Sequence, residues 1–360
     1  MRITKPSHGC VRIIRESIPL YFYMSQSHSV VVINYNTREL LRACLASLGA
    51  NPPYPVIVVD NASSDGSADM VRAEFPWVIL HANSENLGYG AAANQAIAQC
   101  ASEYVLLLNS DTRLTRGAFD MLIQYLEQHP RVAIAGPRIV TPNGTLQPSC
   151  FPFPTPIHVF IQESTLGILF RHTPILREWY LPASSHPHSQ NVPWVLGAAL
   201  AIRRDALATV GGFDESYFMY FEEVDLCYRL RAIGWHIDFV SDATIVHVGG
   251  ASTVQQRADM KLALYMSLIR FYTHHYSRWR MQQLRLVLSY SMLRNITLDR
   301  IRLARTHDAR TRAITVENLS VWHQVLSTLW RDESFGFKKT AHPIPLRNAR
   351  QIERGIESQV

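Results

Sequence analysis

Three acids, Glu222, Glu223 and Asp225, stand where a loop gives way to a helical pattern in EEVDLCYRLRAIGW. The helix dipole favours acids in a first turn, so a plain solvated helix start explains them as well as chemistry does. At about 100° per residue Glu222 and Asp225 share a face and Glu223 turns away from it. Carboxylates held this close raise one another's pKa, which suits a general base working near neutrality. Earlier in the chain, Asp60 and the string Asn109-Ser110-Asp111 each close an apolar run. A carboxylate at the first place can accept from a base N–H or a ribose hydroxyl. One at the second can hold Mg2+ or Mn2+, hard cations that take oxygen ligands and share them with substrate phosphates. Both also serve as ordinary turn or cap residues. His247 lies in the apolar run ATIVHVGG, a setting that fits a ligand or a satisfied core histidine. Gly249 and Gly250 behind it let the chain approach a phosphate closely.

The elements that must position these residues read clearly from Ser29 onward. SVVVINYN is a continuous apolar run, as expected of a strand buried on both faces. Thr37 is placed to cap the amphipathic helix RELLRACLASL, and NPPYP ends it. VIVVD, WVILHA and YVLLLNSD repeat the buried-strand pattern. Between them come helix ADMVRAEF, opened by Ser67 or Asp69, and the glycine-containing NLGYGAAANQAIAQC; GAFDMLIQYLEQHP follows the last. Strands alternating with helices imply an α/β fold with a mostly parallel central sheet flanked by helices. Ligands in such sheets bind beyond the C-terminal ends of the strands, and Tyr35, Asn36, Asp60, Asn61, Asn109 and Asp111 all sit there. Residues 141–193 are irregular and rich in Pro, His, Ser and aromatics; insertions of that length are commonly functional. VPWVLGAALAIRRDAL returns to strand and helix, Gly234 stops the acidic helix, and HIDFVSDATIVHVGG reads as short strands. Beyond Ala251 come amphipathic helices, DMKLALYMSLIRFYTHHY and QQLRLVLSYSMLRNI.

Bulk properties narrow the function classes. The chain has 360 residues and an ordinary globular composition, 47% hydrophobic and 18% charged. The five cysteines, Cys10, Cys44, Cys100, Cys150 and Cys227, are odd in number and contain no CxxC pair. That argues against a disulfide framework or a structural zinc site and fits a reducing compartment. Residues Ala251–Val360 carry 18 Lys and Arg against 8 Asp and Glu, the rest 17 against 21. The basic third would attract phosphate, in nucleic acid, lipid headgroups or a lipid pyrophosphate. No apolar run reaches the roughly 18 residues of a membrane span. Residues 1–28 resemble a signal peptide only poorly and read as an untidy extension, with Met24 as the natural start.

Seven pieces appear in one order: VVVINYN, VVDNASSDGS, NLGYGAAANQAI, YVLLLNSDT, GAALAIRRDAL, GGFDESYFMYFEEVDLCYRLRAIGW and IVHVGGAST. Together they resemble the family-two glycosyltransferases of GT-A fold, in the rhamnosyltransferase-like branch. The resemblance covers about Ser29–Thr253. It implies a catalytic domain (29–253) divided into donor-binding (29–140) and acceptor-binding (141–253) halves, which leaves the poorly defined extension (1–28) before it and the basic helical region (254–360) after it. It implies an inverting transfer of a sugar, rhamnose or another deoxysugar, from a nucleotide-diphosphate donor to a glycan or lipid-pyrophosphate-linked acceptor. Asp60 would contact the nucleobase, with Tyr35, Asn36 and Asn61 beside it, and Asn86, Gly88 and Asn94 would border the donor. Asp111 matches the last aspartate of the DxD motif, and His247 a histidine that completes the metal site around Mg2+ or Mn2+. Glu223 takes the place of the usual base, an aspartate in many relatives; Glu222 and Asp225 remain alternatives. Asn109 stands where many relatives have the first aspartate of DxD, so one carboxylate is missing.

Two other classes compete. Gly88-Tyr-Gly90-Ala-Ala-Ala93 satisfies the dinucleotide-binding pattern of an NAD-dependent oxidoreductase, with Asp111 21 residues beyond Gly90. The match begins at the third strand, not the first, and leaves the acidic helix and His247 unexplained. A non-catalytic nucleic-acid-binding protein is suggested by the basic third, but its charges lie on amphipathic helices without an RNA-binding aromatic motif or zinc finger. The expectation is therefore a cytoplasmic enzyme, peripheral at the inner face of the cell membrane with an anionic surface as partner, and no nucleic acid.

Overall fold

The computed structural model describes residues 27–164, 188–250 and 257–330. The expected N-terminal extension, with Cys10 and the start at Met24, lies outside the described residues up to position 26, as do parts of the irregular insertion and the end of the basic region. Among the described residues twelve strands run in chain order: β1 (His28–Asn34), β2 (Val56–Asp60), β3 (Ile79–Ala82), β4 (Tyr104–Asn109), β5 (Thr112–Leu114), β6 (Val132–Val140), β7 (Leu146–Gln147), β8 (Cys150–Phe151), β9 (Gln190–Asn191), β10 (Trp194–Val195), β11 (Ala199–Arg203) and β12 (His236–His247). The helices are α1 (Arg38–Ser47), α2 (Ser67–Glu74), α3 (Tyr89–Ile97), α4 (Ala118–Gln128), α5 (Pro156–Glu163), α6 (Arg204–Thr209), α7 (Glu222–Ala232), α8 (Arg257–His275), α9 (Arg278–Arg305) and α10 (Ala309–Leu329).

The main sheet has the order β3-β2-β1-β4-β11-β6-β12-β5. Strands β3, β2, β1 and β4 are parallel, and β12 is parallel to β6. Strand β11 runs antiparallel between β4 and β6, and β5 antiparallel on the edge of β12. Alternation along each central strand serves two cores. Val31, Ile33, Val105 and Leu107 face the side covered by α3 and α7; Val30, Val32, Leu106 and Leu108 face α1 and α4. Each such fully buried side chain contributes about 1.5–3 kcal/mol, which is why these runs read as apolar without a break.

Two local expectations are corrected. Thr37 precedes α1, but its hydroxyl does not cap it; it donates to Asn34 Oδ1 and meets Ser110 Oγ, both at 2.7 Å, while Asp65 accepts the Arg38 N–H. Asp65 likewise accepts from the Ser67 N–H at the start of α2, so one aspartate serves two helix starts. The stretch read as several short strands is a single strand, β12, with its register broken between Val240 and Thr244. Val240 lies opposite Pro137, which has no N–H for the ladder, and the slip there turns the end of β12 onto β5.

A third core joins the C-terminal helices to the rest. Val159 of α5, Tyr217 of the loop before α7 and Val224 of α7 pack with Phe271, Leu284, Leu288 and Val325 from α8, α9 and α10. Helix α7 is thus buried on two sides, against the sheet and against this helical layer. Among the described residues no helix is long and apolar enough to cross a membrane.

Candidate active site

Pairing of β12 with β5 sets His247 opposite Thr112, next to Asp111. The Val248 N–H donates to the Asp111 carbonyl at 3.0 Å and fixes the two chains side by side. His247 Nε2 then lies 3.3 Å from Asp111 Oδ1, with both side chains nearly buried. The Gly249 N–H donates to the other carboxylate oxygen at 3.1 Å. On the far side of the ring, Nδ1 lies 3.0 Å from Gln147 Oε1. An amide oxygen only accepts, so Nδ1 donates to it and Nε2 is the ring atom facing Asp111. That pairing of an imidazole nitrogen with a carboxylate oxygen suits a proton or a metal ion between them. Nearby Asn109 Oδ1 is buried with no hydrogen-bond partner among the described residues.

The opposite wall is the start of α7. Tyr220 and Phe221, just before it, take left-handed backbone conformations with φ of 66° and 67°. Each costs on the order of 1 kcal/mol or more for a bulky residue, a strain that clusters at functional sites. Phe221 is held by the Phe271 ring from α8 at 5.7 Å. Both Glu222 and Glu223 reach the cavity, and each keeps one carboxylate oxygen without a partner among the described residues. Burial raises the pKa of both; the charge of Glu223 raises Glu222 further, while N–H groups of Gly197 and Val224 partly offset the rise at Glu223. Gly197 can sit there because it has no Cβ, which would come within 3.3 Å of Glu223 Oε1. The pair therefore binds protons as a unit.

A cavity of about 270 Å³ lies between these walls. It brings together Tyr35, Asn61, Asn86, Gly88, Asn109, Asp111, Glu222, Glu223 and His247 of the expected set. Gly88, at φ 84°, lets the chain pass Phe218, whose carbonyl oxygen would lie 2.5 Å from any Cβ there. The Asn86 carboxamide accepts from Asn61 Nδ2 and from the Gly88 N–H, which holds this rim in shape.

Four expected residues do not line the cavity. Asp225 turns the other way: it pairs with Arg229 at 2.6 Å and His275 at 2.6 Å, so its carboxylate is occupied as a structural tie. Asp225, which helical spacing sets on one face with Glu222, does not share the cavity with it; Glu222 and Glu223 do. Asp60 is buried, accepting from Asn34 Nδ2 at 2.7 Å and from the Ser63 N–H, and braces the strand ends behind the rim. Asn36, with φ of 52°, accepts from the Ser64 N–H in the same turn. Asn94 is spent on the Phe213 backbone and Glu215. Conversely, Tyr89, Gly197 and Met260 line the cavity, and Gln147 orients His247, without having been singled out from the sequence. Gly197 lies inside a motif already noticed; Gln147 gave no signal, because only the β6–β7 pairing carries it to the histidine.

Comparison with known proteins decides the class. A profile of the family described as "Glycosyltransferase like family 2" matches residues 26–268. The chain belongs to glycosyltransferase family 2. This glycosyltransferase is 32% identical over 299 residues to the N-acetylglucosaminyl-diphospho-decaprenol L-rhamnosyltransferase of Mycobacterium tuberculosis, covering 79% of this chain and 97% of that one. It is 24% identical to rhamnosyltransferase WbbL of Escherichia coli K12, over 61% of this chain and 82% of the relative. The solved structure of GalNAc-T7 with UDP, GalNAc and Mn2+ superposes with a TM-score of 0.51 at 11% identity, covering 84% of this glycosyltransferase and 56% of that chain. The fold is thus GT-A, with a mostly parallel sheet and C-terminal helices, as the resemblance implied. The family match sets aside the dinucleotide-binding oxidoreductase, and α3, where its glycine pattern falls, packs beside the acidic wall of the cavity.

Proposed function

We propose that this glycosyltransferase is a metal-dependent, inverting enzyme that moves a deoxysugar, rhamnose foremost, from a nucleotide-diphosphate donor to a lipid-pyrophosphate-linked acceptor in cell-surface polysaccharide assembly. The observation that carries this is one cavity with the Asp111–His247 pair on one wall and the Glu222–Glu223 pair on the other. The mycobacterial relative's name specifies both a rhamnosyl group and a diphospho-decaprenol acceptor, which supports the choice of substrates.

The residues fit a divalent cation. Asp111 Oδ1 and His247 Nε2 converge at 3.3 Å, and Asn109 Oδ1, of the same cavity lining, is an oxygen with no partner among the described residues. Held by Asp111 and His247, Mg2+ or Mn2+ would neutralise charge growing on the departing nucleoside diphosphate. Tyr35 and Asn61, at the ends of β1 and β2, border the donor side of the cavity. Glu223, on the cavity wall beside Glu222, accepts the proton of the acceptor hydroxyl. That oxygen bonds to the anomeric carbon as the bond from the same carbon to the diphosphate oxygen breaks, inverting the centre in one displacement. The net products are the glycosylated acceptor and the nucleoside diphosphate. Such an acceptor places the enzyme in the cytoplasm, peripheral at the inner face of the cell membrane and its anionic surface, with no nucleic acid as partner.

The test is release of nucleoside diphosphate from a panel of nucleotide sugars, with a polyprenyl-diphosphate sugar as acceptor and with Mn2+ or chelator. We expect turnover with a dTDP-deoxysugar, dependent on acceptor and abolished by chelation. Turnover undiminished in chelator removes the metal from this reading; turnover with no sugar on the panel removes the substrates.

A further inference from the structure

We infer that the outer face of α9 is a docking surface for an anionic lipid bilayer, laid in the plane of the interface. This deepens the proposed lipid-linked acceptor and rests on that reading only for its purpose, not for its physical case.

Helix α9 has two apolar faces. Met281, Leu284, Leu288, Met292 and Ile296 are buried in the third core. Trp279, Leu286, Tyr290, Leu293 and Ile301 are all exposed, by 43% to 71%. At about 100° per residue these five fall within roughly 40° of one line, and they extend along about 33 Å of helix. A single exposed leucine is ordinary, but five large apolar side chains along one line, broken only by Gln283 and Thr297, are rare on a soluble surface. Ring contact between Tyr290 and Phe160 of α5, at 6.3 Å, widens it, and Ile157 one turn earlier on α5 is also exposed.

Charge selects the occupant. Residues Arg278–Arg305 contain seven arginines and one acid, Asp299. Asp299 is turned inward, accepting from Trp322 Nε1 at 2.9 Å. By helical geometry Arg278 and Arg300 flank the stripe on one side, Arg280 and Arg305 on the other, each about 60–100° from its centre. A second copy packed two-fold on this stripe would set arginines against arginines with no exposed acid on the helix to answer them. An anionic headgroup layer answers all of them while the stripe sinks to the acyl boundary, the arrangement of an interfacial helix. Helix α5 links this surface to the cavity. Its Glu163 accepts from the Tyr265 hydroxyl at 2.9 Å, and Tyr265 lies five residues beyond Met260 of the cavity wall on α8.

The test uses the full chain without donor or acceptor. Flotation is compared on phosphatidylcholine vesicles and on vesicles with about one-third phosphatidylglycerol. We expect binding to the anionic vesicles, weakened by high salt, and much less to the neutral ones. The double substitution Leu286→Glu/Leu293→Glu should weaken binding at least about tenfold while leaving the unfolding midpoint unchanged, since both side chains are exposed. Absence of flotation, or flotation untouched by the double substitution, overturns the proposal. So does a wild-type dimer that the substitution converts to monomer without any vesicle binding. Because binding is read without turnover, loss of sugar transfer would count against the reaction alone.

Discussion

Asp225 Oδ1 lies 2.6 Å from His275 Nε2, so the first turn of the acidic helix is tied to the last turn of α8. Arg229 completes the tie, donating to Asp225 Oδ2 at 2.6 Å and to the carbonyls of Val210 and Gly212. Burial alone would raise the Asp225 pKa; the His275 hydrogen bond and the Arg229 charge outweigh it and hold the carboxyl below its usual range.

Asp225→Ala should therefore cost about 3 kcal/mol, the low end for a buried pair because Arg229 keeps some access to solvent. A carboxyl with a lowered folded pKa adds stability above its unfolded value, near 4, and loses it as pH falls through the lower folded value. Urea unfolding at pH 7 should show the full difference and at about pH 3 a smaller one. An equal loss at both values would refute the ion-pair account.

Glu223→Gln removes the proposed base. We predict a fall in kcat of about 10²–10⁴ with donor affinity preserved, measured by single-turnover kinetics and nucleotide titration. Turnover within a few-fold of wild type would move the role elsewhere.

Glu222→Gln should stabilise the protein at neutral pH. Its raised pKa means that ionising the carboxyl in place is unfavourable, so stability is lost as pH rises from the unfolded value, near 4.5, toward the folded one. The variant should melt at higher temperature than wild type at pH 8, with the gain shrinking below about pH 4.5. A lower melting temperature at pH 8 would mean that Glu222 makes a favourable charged contact.

Asp111→Ala and His247→Ala should each abolish the stimulation of nucleotide binding by Mn2+, read by thermal shift. Gln147→Ala frees the ring without removing a ligand, so it should weaken that stimulation by about 10–100-fold. Full Mn2+ stimulation in Asp111→Ala would exclude it as a ligand.

Gly88→Ala sets a Cβ against the Phe218 carbonyl in a backbone region that alanine avoids. We expect a loss of about 1–3 kcal/mol and weaker donor binding, because the cavity rim from Gly88 to Tyr89 hangs on that carbonyl through the Tyr89 N–H at 3.0 Å. Unchanged stability would show that the rim adjusts freely.

Much of this was legible in the sequence because it is local. Val30–Ile33 and Val105–Leu108 are buried on both faces, so their runs are unbroken, and Asp111 and the acid pair stand at element ends where turn chemistry marks them. What depends on distant packing was not. Nothing near Asp225 announces His275, 50 residues away, so its shared helical face with Glu222 does not reveal that its carboxylate is tied outside the cavity. Asp60 and Asn94 carry the polar character of ligands, yet Asn34 and the Phe213 backbone consume them. The single bulged β12 was read as several strands because the pattern breaks where Pro137 disrupts the ladder.

The β12–β5 pairing also fixes when the site can exist. Gly249 and Asp111, which it joins, are 138 residues apart, and the strand bearing His247 comes after the rest of the sheet in the chain. During synthesis, every strand of the main sheet before β12 can emerge while Asp111 still has no histidine beside it. The contact between Asp111 and His247 therefore forms late in synthesis, only once the final strand of the sheet has docked.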